Sequence, residues 1–135
     1  AIRVKRNWNN NTRGLRGYGI RAWHVNNDGK VIAFHRWETG GRGDDVVVII
    51  NFSNNVYQNY VLEGMLVPYP SNRTWYLRYN SDLGNRFYMD WSHWYSYHYP
   101  EIYYEPTYST TISTGGNMTF NIGAYAVLVY SQNNP

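Results

Sequence analysis

Cysteine is missing altogether from the 135 residues. Its absence excludes a disulfide framework, a thiolate nucleophile and a Cys-rich zinc site together, and a cysteine-free chain suits cytosol and secretion equally. Long apolar runs are missing too: the longest aliphatic stretch, Val46 to Ile50, has five residues, against the roughly 20 that a membrane-spanning helix needs. No membrane partner is expected. The chain also does not open on a charged, apolar and small-residue leader of the secretory kind.

Acidic residues are scarce, 9 against 12 basic ones, for a formal net charge of +3. Half of the basic residues, Arg3, Lys5, Arg6, Arg13, Arg16 and Arg21, fall within the first 21 positions. A nucleic-acid binder carries a dense basic face, whereas here the cations thin out after the first strand, so no nucleic-acid partner is expected. What the chain has instead is apolar and aromatic mass, 43% and 19% of its residues. At this length that suffices for one self-standing domain burying roughly two thirds of the surface its unfolded chain exposes.

From Ile20 onward, short runs of Val, Ile, Tyr, Phe and Thr alternate with Asn, Gly, Asp and Pro, which is the pattern of strands and turns. Strands are expected over 20–25, 30–37, 45–52, 57–62, 74–79, 107–113, 117–121 and 124–131, the signature of an antiparallel sandwich or barrel. Asp28-Gly29 predicts a two-residue type I′ hairpin, with Asn27 facing Lys30, Val25 opposite Ile32 and Trp23 opposite Phe34. That register makes one face of the hairpin core-like and leaves Ala22, His24, Ala33 and His35 on the other. Residues 1–19 differ. Ile2, Val4 and Trp8 define no complete helical face, Asn7 to Asn11 stops any helix, and the segment reads as the remnant of a preceding helix and linker.

Two strands carry a further message. Val46 to Ile50 and Ala124 to Tyr130 are apolar throughout, whereas a strand with one face in water alternates. Both of their faces call for cover, and a partner domain is the favoured cover.

The densest feature lies within an irregular excursion over 83–106. Phe87, Tyr88, Trp91, Trp94, Tyr95, Tyr97, Tyr99, Tyr103 and Tyr104 make nine aromatics in the twenty positions from Arg86 to Glu105. Flat rings with polar edges suit sugars, because the apolar face of a pyranose stacks on them. Trp91 and Trp94 would be the platforms, flanked by Tyr95 and Tyr97. The same rings also suit a satellite core that pins a long excursion onto the sheet.

Other chemistry is thin. His93 and His98 have no third ligand of matched spacing, so no metal site is expected, and His24 and His35 read as surface or interface residues on one side of the hairpin. No G-x-S-x-G elbow and no phosphate-loop pattern occurs. Asp82, Asp90, Glu101 and Glu105 bracket the aromatic segment without forming a recognisable pair of acids. Asp44-Asp45, behind Gly40-Gly41-Arg42-Gly43, predicts a solvated turn. Asn10, Asn51, Asn72 and Asn117 head Asn-x-Ser/Thr sequons, as expected by chance in so Asn-rich a chain.

The order of several blocks resembles a known family. Lys30 to Trp37, Asp44 to Asn54, the strand Thr74-Trp75-Tyr76-Leu77-Arg78-Tyr79-Asn80-Ser81-Asp82, and Phe120 to Tyr130 look like the all-β C-terminal domain of the α-amylase family, glycoside hydrolase family 13. The resemblance implies an all-β, antiparallel Greek-key β-sandwich over 20–135 packed against a (β/α)₈ barrel of the same parent chain. Ile2 to Leu15 would then be the end of the last barrel helix and the linker. The family's catalytic acids sit on barrel strands whose motifs are absent here, so the implied role is a non-catalytic accessory domain of an enzyme acting on α-glucans, with no cofactor and no metal. The rival reading is a carbohydrate-binding module that takes α-glucan on the aromatic platform at 87–104.

Overall fold

The computed structural model describes residues 5–7, 10–62, 74–81, 109–111 and 117–132. Eight strands run through them: β1 (Gly19–Asn26), β2 (Val31–Trp37), β3 (Val46–Asn51), β4 (Tyr57–Leu62), β5 (Thr74–Asn80), β6 (Ser109–Thr111), β7 (Met118–Ile122) and β8 (Val127–Ser131). Six form one sheet in the order β1-β2-β3-β8-β5-β6, and β4 pairs with β7 in a second. Every pairing is antiparallel. After β3 the chain leaves the large sheet for β4 and returns as β5 beyond β8, a Greek-key crossing between two layers. The fold is thus the expected all-β sandwich.

The two-residue period of each strand sets what lies between the layers. Along β7, Met118, Phe120 and Ile122 are buried while Thr119 and Asn121 are exposed. Facing them are Val31 and Ala33 of β2, Val47 and Ile49 of β3, Trp75 and Leu77 of β5, and Leu128 and Tyr130 of β8, closed at the end by Leu62. Fully burying an aliphatic side chain of this size stabilises by about 1.5–3 kcal/mol.

The hairpin departs from the sequence-based register in an instructive way. Val25 does oppose Ile32, but a β-bulge lies between Ala22 and His24, so Phe34 faces Ala22 and Trp23 is the extra residue. The bulge turns Trp23 and His24 to the same, inner side: Trp23 packs on the main core and His24 Nε2 meets Tyr60 Oη at 2.6 Å. The core therefore lies under Val31 and Ala33, the face expected to be only partly apolar, and Ile20, Ala22 and Val25 remain outside. The turn also differs. Left-handed backbone occurs at Lys30 (φ 61) and not at Asp28 or Gly29, because the Asn26 side chain accepts the Gly29 N–H at 2.8 Å and shapes a four-residue loop instead of a type I′ pair. At the same end of the sheet, the expected strand 124–131 begins only at Val127, since Ala124-Tyr125 is a turn with Tyr125 at φ 56.

Candidate functional site: the outer face of the large sheet

The outer face of β2, β3 and β8 carries its own apolar cluster. Val46, Val48 and Val129 are buried there, with Phe34, Ile50, Tyr79, Val127 and Leu15 packed against them. Alternation puts these residues opposite the inter-sheet core: Val48 pairs with Val129 and with Phe34, and Ile50 with Val127. The reading that both faces of β3 and β8 are apolar is therefore correct. The patch extends beyond the cluster to exposed hydrophobes on the same face, Ile20 at 61%, Val25 at 61% and Phe52 at 60% of full exposure.

Part of the cover is local. The segment ahead of β1 makes a 3₁₀ turn at Arg13–Arg16, which lays Leu15 on the cluster. The backbone of this turn is bonded to the 43–44 loop, Arg13 N to Gly43 O at 3.2 Å and Gly14 N to Asp44 O at 2.8 Å. The approach is so close that a Cβ on Gly14 would lie 2.4 Å from Asp44 O and 2.6 Å from Arg36 O. Between this turn and the sheet a groove of about 290 Å³ stays open, lined by Lys5, Leu15, Phe34, Arg36, Val48, Tyr79, Val127 and Val129.

Asp44 and Asp45 hold this corner together, and neither is solvated: they are 0% and 2% exposed. The glycines around them take left-handed backbone, φ 89 at Gly40, 109 at Gly41 and 86 at Gly43, so the loop folds back and aims its N–H groups inward. The Asp44 carboxylate accepts Glu38 N at 2.9 Å, Thr39 N at 2.6 Å, Gly40 N, and the Thr39 hydroxyl at 3.1 Å. Arg13 Nη2 reaches it at 3.3 Å. Burial alone would push the Asp44 carboxyl up, but the donated N–H groups of Glu38, Thr39 and Gly40 and the Thr39 hydroxyl outweigh it and leave the group below its ordinary value. Asp45 accepts Gly41 N at 2.6 Å and pairs with His35 Nε2 at 2.6 Å, and His35 stacks on Trp37 with ring centroids 4.5 Å apart. The turn-forming role of Asp44-Asp45 holds; the solvated one does not, because donors from residues 13 and 38–41 take up the two carboxylates.

His24 and His35 do share a side of the hairpin, but that side is the inside, not a surface. Arg78, the extra residue of a second bulge on β5, bonds Ser131 Oγ at 2.7 Å and lies over the Tyr76 ring at 5.3 Å. Its burial lowers its pKa to about 10. Among the described residues, no three of His, Cys, Asp or Glu gather as a metal-binding set. Trp91, Trp94, Tyr95 and Tyr97, with His93, His98, Asp82, Asp90, Glu101 and Glu105, lie outside the described residues. The rim of the groove went unread in the sequence. Arg36 follows Phe34 at the strand period, which is the signal that would have placed it on the outer face.

A comparison with curated proteins finds no match. The model of the family described as "Alpha amylase, C-terminal all-beta domain" matches residues 23–133. That span takes in all eight strands but the start of β1, and with the two-sheet architecture it fixes the assignment: the chain belongs to the α-amylase C-terminal all-β domain family.

Proposed function

We propose that this chain is the non-catalytic accessory domain of an α-amylase-family enzyme acting on α-glucans, and that it stabilises the catalytic (β/α)₈ barrel by docking the outer face of its large sheet. The supporting observation is the doubly apolar pair β3 and β8. A domain whose only task were to enclose the inter-sheet core would alternate polar residues outward on these strands, yet Val46, Val48 and Val129 form a second buried cluster there. Ile20, Val25 and Phe52 add exposed apolar side chains to that surface, and exposed apolar surface beyond scattered single residues marks an interaction site.

Two measurements test the reading. The coding sequence ahead of Ala1 is expected to specify about 250 residues of alternating β and α segments, as a barrel requires. Within such a protein, Ile20→Asp and Phe52→Asp are expected to lower the melting temperature of the barrel while leaving that of the 135-residue chain unchanged, since both side chains are exposed in it. An unchanged barrel would refute the docking role.

A further inference from the structure

We infer that Tyr125, with Asn54 and Asn55 beside it, is a stacking site for one glucose unit of an α-glucan, at the end of the sandwich where β3 and β7 leave their sheets. The inference rests on the proposed α-glucan enzyme for the choice of sugar and adds a binding site separate from the docking face.

Two connections cross between the sheets at this end, 52–56 from β3 to β4 and 123–126 from β7 to β8. They are bonded into one corner. Asn51 Nδ2 donates to Asn55 O at 2.8 Å and to Gly123 O at 2.9 Å, Asn51 N donates to Ala126 O at 3.0 Å, and Tyr125 N donates to Ser53 O at 3.0 Å. The last bond sets the Tyr125 backbone against the peptide that leads into Asn54.

Tyr125 is an anomaly in that corner. Its φ of 56 lies in the left-handed region, which glycine or asparagine adopts at little cost and a bulky residue does not. Asn7, Asn10 and Asn59 take the same region, and their side chains suit it. Nothing in the fold calls for a ring here: Tyr125 is 67% exposed and belongs to neither apolar cluster. A strained residue held by a well-bonded backbone, with its ring in water, is the kind of outlier that gathers where ligands are held.

The chemistry around the ring narrows the ligand. Neither connection carries a charged side chain, which favours a neutral partner. Asn54 and Asn55 are exposed, and the corner uses the backbone N–H and C=O of Asn55 without drawing on either side-chain amide. A flat ring flanked by amide donors and acceptors matches a pyranose, whose apolar face stacks on the ring while its hydroxyls bond at the rim. Phe52 opens the first connection, but strand alternation turns it to the outer face with Val48 and Ile50, so it stays with the docking surface.

The test uses the chain itself and two glucose pentasaccharides, α-linked maltopentaose and β-linked cellopentaose, each titrated while amide signals are followed by NMR. Maltopentaose is expected to bind with a Kd of about 1 mM and to shift the Tyr125 backbone amide and the Asn54 and Asn55 side-chain amides. Tyr125→Gly is expected to weaken that binding at least about tenfold and to leave the urea midpoint no lower than the parent's, because glycine is at home at this φ. A ring that served the fold would do the reverse, so a midpoint that falls overturns the inference. Tyr125→Phe keeps the ring and is expected to keep most of the binding. Unmoved signals at about 10 mM maltopentaose overturn the inference, as do equal shifts with cellopentaose, or shifts confined to tryptophan indole signals, which would put the sugar elsewhere. Each of these failures leaves the docking reading standing, since docking uses the outer face. A barrel insensitive to Ile20→Asp and Phe52→Asp, beside clear maltopentaose shifts at Tyr125, would instead remove the docking reading and keep the site.

Discussion

Replacing Asp44 with alanine should be among the costliest single changes outside the inter-sheet core. The substitution deletes the acceptor for the N–H groups of Glu38, Thr39 and Gly40 and for the Thr39 hydroxyl. Hydrogen bonds to a charged group contribute about 1.5–3 kcal/mol each. The three donor residues are themselves exposed, so water recovers much of that, and about 1 kcal/mol per backbone donor is the reasonable net loss. The Arg13 pair adds little: its side chain is 43% exposed, and pairs of this kind are worth under about 1 kcal/mol. The sum is about 3–4 kcal/mol, a large share of the 5–15 kcal/mol typical of a domain. Urea unfolding followed by tryptophan fluorescence measures it directly, as a fall in midpoint at constant slope. Asp44→Asn keeps the shape but turns an amide towards converging N–H groups, so it should recover less than half of the loss, whereas Arg13→Ala should cost under about 1 kcal/mol. An alanine variant within about 1 kcal/mol of the parent would refute the view that this carboxylate organises the 38–45 turn.

Three other outcomes follow from the same structure. Asp44 is held below its ordinary value of 3.8, so its stabilising contribution is complete above about pH 4 and is lost as pH falls from there through the folded-state value. The stability gap between the parent and Asp44→Asn should accordingly narrow below about pH 4, and a gap that stays constant to the lowest pH at which both fold would contradict the assignment. Gly14→Ala should detach the 3₁₀ turn, because its new Cβ collides with two backbone carbonyls; faster amide exchange at Arg13 and at position 14 would register this, and unchanged protection would count against it. Asn51→Ala removes a buried amide that bonds Asn55 O, Gly123 O, Ser53 N and Ser53 Oγ. It should cost about 2–4 kcal/mol in calorimetry, since two carbonyls and two donors lose a buried partner, and a loss below 1 kcal/mol would mean water replaces it freely.

How much of this was legible in the sequence depended on whether the cause was local. The strand expected over 117–121, found at Met118–Ile122, and the bounds of β4 at Tyr57 and Leu62 could be read, because side-chain period two is a property of the strand itself. The valine-rich faces could be read for the same reason. The bulge at Trp23 could not: it depends on inner partners, the core for Trp23 and, for His24, Tyr60 in the other sheet, which no local pattern in β1 announces. An Asp-Gly turn was the right place and the wrong geometry, since nothing in those two letters announces that the Asn26 side chain will capture the Gly29 N–H. Asp44 reads in the sequence as an ordinary turn acid, because nothing local announces that Arg13 and Gly14 of the leading segment bond across its loop. Of the candidate site, the floor came from strand pattern, while Lys5 and Leu15 arrived through the path of a segment with no period to read.

The burial of Asn51 has a practical corollary for producing the protein. Asn51-Phe52-Ser53 is an acceptor sequon, yet the Asn51 side chain is 1% exposed and its Nδ2 already serves Asn55 O and Gly123 O. A host that attaches oligosaccharides to nascent chains would modify this amide before the β3 corner closes, and the attached sugar could not be accommodated afterwards. Expression in a host without such transferases should give folded material, whereas secretion from yeast or mammalian cells should give a retained, glycan-bearing product. Mutating the asparagine would not rescue it, because the corner needs that amide; Ser53→Ala, which destroys the acceptor while leaving Asn51 in place, is the change to make.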